Sequence, residues 1–352
     1  MINDGIEFLK SNNKKCLIFG SIMAISSICM AVFFVSLGAM DIGFLKAFQI
    51  IFGKIFSSES LLNGIPKNEV AVVWDIRLPR ILCGFFVGSG LSVCGSIFQS
   101  ILRNPLADPY TIGISSGSAF GASLALLLNI VWGFYLSETL FAFLFSFLTL
   151  ILVITISKKS GDISSSSLII AGIIVSAIFS SGISFIKMLA GESVGAIVFW
   201  LMGSLSAVNY SDVLIVVPVV IVLSIVALFF AKDLNAMSLG DKIATSLGVN
   251  TKKLRLLFLI IGALLTAVCV SVSGIIGFIG LVIPHILRIK LSSDNKKLIP
   301  LCFICGGLVL LIADNITRIF FRGEIPVGVL NTLIGGPFFI YVYTSKGGKC
   351  YE

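Results

Sequence analysis

LPRILCGFFVGSGLSVCGSIFQSILRNPLADPYTIGISSGSAFGASLALLLNIVW, residues 78–132, decides the fold class. It holds two apolar runs, 78–100 and 111–132, each close to the roughly 20 residues that cross a bilayer core. Neither run alternates at strand spacing, so the pattern is that of membrane helices and not of barrel strands. Asn104 and Pro105 begin the turn between them, and Arg103 just before it reads as a topology anchor. Gly113, Gly117 and Gly121 recur every fourth residue, with Ser115, Ser116 and Ser118 between them. Small residues at that spacing let helices approach closely in lipid, which argues for a tight bundle and not for a ligand site.

Outward from this stretch the same texture continues. Ten apolar segments can be marked, roughly 16–38, 78–100, 111–132, 138–157, 166–190, 212–231, 254–274, 275–290, 299–317 and 326–344. The seventh and eighth are joined only by SGIIG, where Gly274 and Gly277 offer a turn. A shorter apolar piece, 194–207, reads as a re-entrant or surface helix. Of the 352 residues 57% are hydrophobic and only 12% charged, about half the charge of a soluble domain. The expected fold is an all-α polytopic membrane protein of about ten transmembrane helices in a single domain, 1–352. Within it, 1–70 supplies a first span and an outer loop, and 71–352 the core. The first apolar stretch is long enough to remain as a span, with no cleavage site evident.

The net charge of +8 belongs to topology and not to nucleic acid. With the N-terminus inside, seventeen of the twenty-five Lys and Arg fall on the cytoplasmic face, which places both termini there. The rest are sorted by type: four of seven Arg lie outside (Arg77, Arg80, Arg318, Arg322), against four of eighteen Lys. Arginine makes forked bonds to carboxylates, so two readings stand: an acidic partner docking from outside, or local pairing with Asp75 and Asp314, including Asp314 with Arg318 at i, i+4.

Much is missing. No phosphate-binding G-x-x-x-x-G-K-[ST] loop occurs, and no metalloprotease or nucleophile-elbow motif. The lone His285, after Pro284, reads as a hydrogen-bonded structural residue beside a bent helix. Cys302 and Cys305, a C-x-x-C inside an apolar run, read as small packing residues. No metal site or cofactor is expected. Carboxylates lie mainly near span ends, whereas an ion-coupled transporter buries them mid-span. That disfavours both a secondary transporter and a membrane-embedded enzyme, and a pump without an energy site needs a partner that has one. The polar stretch from Ser238 to Arg255 contains LGDKIATSLG, read as a short helix ended by Gly248. It suits either a docking element for a soluble partner or an ordinary loop.

Together, WDIRLPRIL (74–82), GSIFQSILRNPLADPYTIGISSGSAFGA (95–122), FWLMGSLS (199–206), LGDKIATSLGV (239–249), SGIIGFIGLVIPHILR (273–288) and ADNITR…EIPVGVLNTLIGGPFFIY (313–341) resemble the FecCD family of permeases. These are the membrane subunits of bacterial ABC importers for iron-siderophores, haem and cobalamin. The resemblance implies a multi-pass plasma-membrane subunit that performs no chemistry. It pairs as a homodimer or heterodimer among membrane lipid, with an ABC ATPase dimer on the cytoplasmic side and a substrate-binding (lipo)protein outside. It also implies that spans 2–5 and 7–10 form an inverted repeat. By position, Arg77, Arg80 and Arg318 would meet glutamates of the binding protein, with Arg322 a further candidate. Gly240, Asp241, Ala244, Leu247 and Gly248 would face the ATPase. Ser165 and Ser166 align with the cytoplasmic gate, a run that also reads as a helix N-cap. Ser167 stands where the family usually has a basic residue.

Overall fold

A computed structural model describes residues 2–38, 40, 42–159, 163–320 and 325–346. The chain opens with α1 (Ile2–Ser36), followed by three short helices, α2 (Phe44–Ile55), α3 (Glu59–Leu62) and α4 (Lys67–Ala71). A π-helical turn, Val72–Arg77, leads without a break into α5 (Leu78–Leu102). Then come α6 (Ile114–Trp132), α7 (Glu138–Lys159), α8 (Ser165–Ala190), α9 (Val194–Leu201) and α10 (Tyr210–Phe229). Two short helices, α11 (Ala231–Ser238) and α12 (Asp241–Ser246), precede α13 (Thr251–Ser273), α14 (Ile279–Lys290), α15 (Asn295–Phe320) and α16 (Val327–Lys346). Among the described residues, eight helical stretches are long and apolar enough to cross a membrane, and α16 adds a shorter apolar helix.

Eight of the ten expected segments are thus full-length helices. The eighth, 275–290, differs. Only Ile279–Lys290 is helical, about 18 Å at 1.5 Å per residue, which falls short of a hydrocarbon core of about 30 Å. Non-helical Gly274–Phe278 supplies the remainder, since extended chain covers about 3.3 Å per residue. Irregular backbone at that depth survives only where protein covers it. Here it lies against the 203–209 loop and the start of α16: Ser204 N–H donates to Ser273 O at 2.8 Å, and Gly328 N–H to Gly203 O at 3.2 Å. Of the two glycines expected to turn the chain, Gly274 has positive φ (67°), and the second such residue is Phe278 (φ 70°), not Gly277. The 194–207 piece is α9, reached from α8 through a 3₁₀ turn at Gly191–Ser193.

α5 is the hub. Nearly every residue from Cys83 to Leu102 is buried, as expected of a helix surrounded by others. Its glycines remove the side chains that would hold neighbours away. A methyl group on Gly88 would sit 2.3 Å from Gly306 O, and one on Gly306 would sit 2.5 Å from Gly88 O, so α5 and α15 cross backbone on backbone. The contact with α14 is closer still: a methyl on Gly95 would lie 1.7 Å from Gly280 O. Proline explains why that carbonyl points outward. Pro284 lies inside α14 and has no N–H to return to Gly280 four residues earlier, so the freed oxygen faces the Cα hydrogens of Gly95. The glycine repeat after α5 works in the same way. Gly117 meets Thr149 and the Phe145 carbonyl, Gly121 meets the Phe141 carbonyl, and Gly113 abuts Gly172 O and Ser176 of α8.

His285 rests against Phe339, with ring centroids 5.7 Å apart. Cys302 and Cys305 are buried free thiols, in keeping with packing, and no cluster that could hold a metal occurs among the described residues.

Replacing Gly95 by Ala should overpack the α5–α14 contact and cost about 1–3 kcal/mol. Thermal unfolding of the detergent-solubilised protein should show it as a lowered midpoint, whereas Gly195→Ala, where a Cβ meets nothing within 4 Å, should leave the midpoint in place.

Candidate functional site

Successive spans run antiparallel, so the polar features gather at two ends. At the upper end lie the C-terminus of α1, the loop 37–77, the start of α5 and the last turns of α15. Arg77 ends the π turn and is only 3% exposed. Its guanidinium donates to Val35 O and Ser36 O, both at 2.8 Å, and to Met40 O. Arg318 donates to Phe34 O and to Asn315 Oδ1. Two arginines therefore cap the last carbonyls of α1, which have no partner within the helix and attract positive charge. Arg80 makes the forked pair: Nε to Asp314 Oδ2 and Nη2 to Asp314 Oδ1, each at 2.9 Å. The Asp314 side chain is 3% exposed and that of Arg80 14%.

The sequence-predicted trio thus comes together, engaged within the protein. The local pairing with Asp314 belongs to Arg80 and not to Arg318, because Arg318 is turned toward α1. Arg322 lies outside the described residues. The π turn's own backbone is satisfied in part by Tyr210, whose hydroxyl donates to Trp74 O at 2.9 Å. Lys54 and Lys67 are exposed on the same end, while Lys46 pairs with Glu69 at 2.8 Å.

At the lower end lies the segment around α12. Gly240 precedes the helix with φ 114°, and Gly248 ends it with φ 81°. Gly248 N–H bonds Thr245 O, and Val249 N–H reaches back to Ala244 O at 3.0 Å, the glycine-terminated helix end anticipated from the sequence. Ala244 is fully buried and packs into the bundle. Leu239, Ile243 and Leu247 are 62%, 50% and 64% exposed. Ile243 and Leu247, four apart on α12 and its end, share one face, and Leu239 lies exposed before the non-helical Gly240 (φ 114°). Leu247 was expected there; Leu239 and Ile243 were not, although the spacing of Ile243 to Leu247 was legible in LGDKIATSL.

Asp241, partly exposed, reaches back to the bundle. Its Oδ1 accepts from Arg255 Nη2 at 2.5 Å, while Arg255 Nη1 donates to Ile163 O at 2.5 Å. The hydrogen bond from Arg255, joined by the charges of Arg255 and Arg103, holds the Asp241 carboxyl below its ordinary range. The charge count placed Arg255 simply among the basic residues of the cytoplasmic face; it is buried, at 5% exposure, and bridges two segments.

Ile163 leads into the serine run. Ser164 is the N-cap of α8: its Oγ accepts from Ser167 N at 3.1 Å, and Ser167 Oγ accepts from Ser164 N at 3.0 Å. This closes a capping box and gives Ser167, the departure from the family pattern, a structural use. Ser167 also bonds Ser157 at 2.6 Å. Ser165 Oγ donates to Ile101 O at 3.2 Å, and Ser166 is exposed.

Asp314→Asn should remove the buried carboxylate that Arg80 holds and destabilise the fold by up to about 3–5 kcal/mol. The paired change Arg80→Met with Asp314→Leu should recover most of that loss in the same thermal assay. The Asp241–Arg255 pair has a definite pH window. A carboxyl depressed in the folded state stabilises at pH above its unfolded value and loses that effect as pH falls through the lower folded value. Amide hydrogen exchange across α12, corrected for intrinsic rates, should therefore be flat from pH 8 to 5 and accelerate only on stronger acidification.

The profile of the FecCD transport family matches residues 23–345. The cobalamin import system permease of Halobacterium salinarum is 36% identical over 283 residues, covering 80% of this chain and 76% of the relative. The molybdate import system permease of Haemophilus influenzae is 36% identical over 304 residues, covering 85% and 89%. A solved metal-chelate type ABC transporter, captured facing inward, superposes with a TM-score of 0.80 at 33% identity, covering 94% of this chain and 99% of that one. With its multi-pass helical fold, the chain belongs to the FecCD transport family and is the membrane permease subunit of an ABC importer whose ATPase is a separate subunit.

Proposed function

We propose that this permease imports a bulky metal chelate, with an iron-siderophore as the leading cargo, delivered by an extracytoplasmic binding protein. The observation that carries the reading is the division of labour between the ends. One presents exposed apolar side chains at a short helix latched to the bundle, and the other is a charged surface fixed in shape by buried arginines. The lower end is then cytoplasmic, with both termini on it, and receives the ATPase dimer on Leu239, Ile243 and Leu247. Gly240 and Gly248 set the ends of that helix, while Asp241 and Ala244 hold it from inside.

The upper end receives the binding protein. Arg77, Arg80 and Arg318 shape its docking surface from beneath, and the exposed Lys54 and Lys67 are first to meet an acidic partner. A second permease copy, the same or a related chain, completes the path. The outward faces of α8 and α16 suit that contact or lipid, with Ile174, Ile178, Leu333 and Ile334 exposed on the single chain. Spans 2–5 and 7–10 correspond to α5–α8 and α13–α16 and form the inverted repeat that alternates access. Ser165 and Ser166 narrow the lower mouth.

An ion-coupled transporter would need a titratable carboxylate free to load and release its ion at depth. Asp314, buried in α15, is committed to Arg80, and Asp108, in the turn between α5 and α6, has its Oδ1 taken up by the backbone N–H groups of Tyr110 and Thr111, each at 3.0 Å.

Labelled ferric siderophore, cobalamin and molybdate, each supplied on its matching binding protein, test the cargo in proteoliposomes. Uptake of the ferric siderophore alone is expected, and exclusive uptake of molybdate would overturn the chelate assignment. Leu239→Glu with Ile243→Glu should abolish co-purification of the ATPase subunit while the permease still inserts and retains its thermal midpoint.

A further inference from the structure

The residues around α12 form a closed circuit that neither the family match nor the gate alignment contains. Arg255, on the first turns of α13, is its centre. One arm of its guanidinium holds Asp241 at the start of α12, and the other holds the carbonyl of Ile163, two residues before the gate serine Ser165. Ser165 in turn bonds the carbonyl of Ile101 near the end of α5. Two residues on, Arg103 takes the left-handed conformation (φ 51°) that turns the chain out of α5. Its guanidinium lies against Gly240, 3.1 Å from where a Cβ would stand, and its charge acts on Asp241. The path thus runs α12, α13, the α8 start, the α5 end, and back to α12.

We infer that Arg255 is a positioning residue for transport, the rigid link that carries displacement of the ATPase-docked helix α12 to the gate at the start of α8. The inference rests on the reading of α12 as the ATPase dock. The guanidinium is buried while the Asp241 carboxylate is partly open to water (side-chain exposures 6% and 42%), so it is the planar fork, fixing both bond directions at once, that ties the two segments together. The acceptors also differ in kind. Asp241 sits on the element a partner would push, and Ile163 O belongs to the backbone that enters the gate helix. A push on Leu239, Ile243 and Leu247 then moves the Ile163 carbonyl, and with it Ser165, as one body. Lysine at 255 would keep the charge and reach one acceptor, without the fork.

The test compares wild type, Arg255→Gln and Arg255→Lys in the full complex with ATPase and binding protein. Uptake of labelled ferric siderophore and ATP hydrolysis are measured together, and amide exchange is followed at 163–168 and 239–247. Arg255→Gln should hydrolyse ATP within about twofold of wild type while cargo moved per ATP falls tenfold or more, and Arg255→Lys should fall between. Docking of the ATPase should slow exchange at both segments in wild type, and only at 239–247 in Arg255→Gln. Unchanged cargo per ATP in Arg255→Gln would overturn the link. So would hydrolysis and uptake lost in parallel, with fast exchange at both segments, which is what plain misfolding gives. Wild type without ATP-dependent uptake would strike the functional reading instead. Exchange in the permease alone then decides the link: faster exchange at 163–168 in Arg255→Gln upholds it, and unchanged exchange removes it.

Discussion

A peptide group inside a bilayer has no water to bond, so each backbone N–H and C=O must find its partner within the protein. α5 is built around that constraint. Its row of glycines lets the bare backbones of α14 and α15 come close enough to cover one another, and this is where the chain can afford irregular structure. The carbonyl that Pro284 frees at Gly280 is received by Gly95. The non-helical stretch Gly274–Phe278 meets the loop at Gly203 and the start of α16. Without the close approach of α5, α14 would need to be a full span, and neither the turn before it nor the loop beside it could lie at membrane depth.

The same demand explains the arginines. The end of α1 leaves carbonyls unpaired at the upper surface, and Arg77 and Arg318 take them up. Their cost of burial is offset by charge-assisted hydrogen bonds to groups that also needed partners. At the lower end Arg255 plays a related part, but one of its acceptors, Asp241, opens the short helix α12 that carries exposed apolar side chains. The upper arginines join elements of one surface, whereas in the proposed function Arg255 joins the element the ATPase would push to the element that would gate.

The sequence made the spans legible because length and apolar continuity are linear properties. Gly113, Gly117 and Gly121 announced their close contacts by spacing alone. The eighth span misled because IIGF is as apolar as a helix, and only contact with the 203–209 loop shows that it is not one. The arginines were assigned to a side of the membrane but not to a depth, since counting charges by loop cannot tell an exposed guanidinium from one buried against carbonyls 42 residues away. Ile243, four residues before Leu247, was legible from helical spacing and was passed over because the glycines in that stretch matched a motif; Leu239 precedes the non-helical Gly240, where helical spacing does not reach. Arg255, in the run TKKLR, carried no local signal. Its partners lie 14 and 92 positions away.

Transport by this permease depends on a separate ATPase subunit. The direct measurement is uptake into sealed proteoliposomes holding the permease with its ATPase subunit, with the loaded binding protein on the opposite face. ATP supplied on the ATPase side should drive accumulation, and a proton or sodium gradient applied without ATP should drive none. Accumulation on an ion gradient alone, by permease without ATPase, would contradict it.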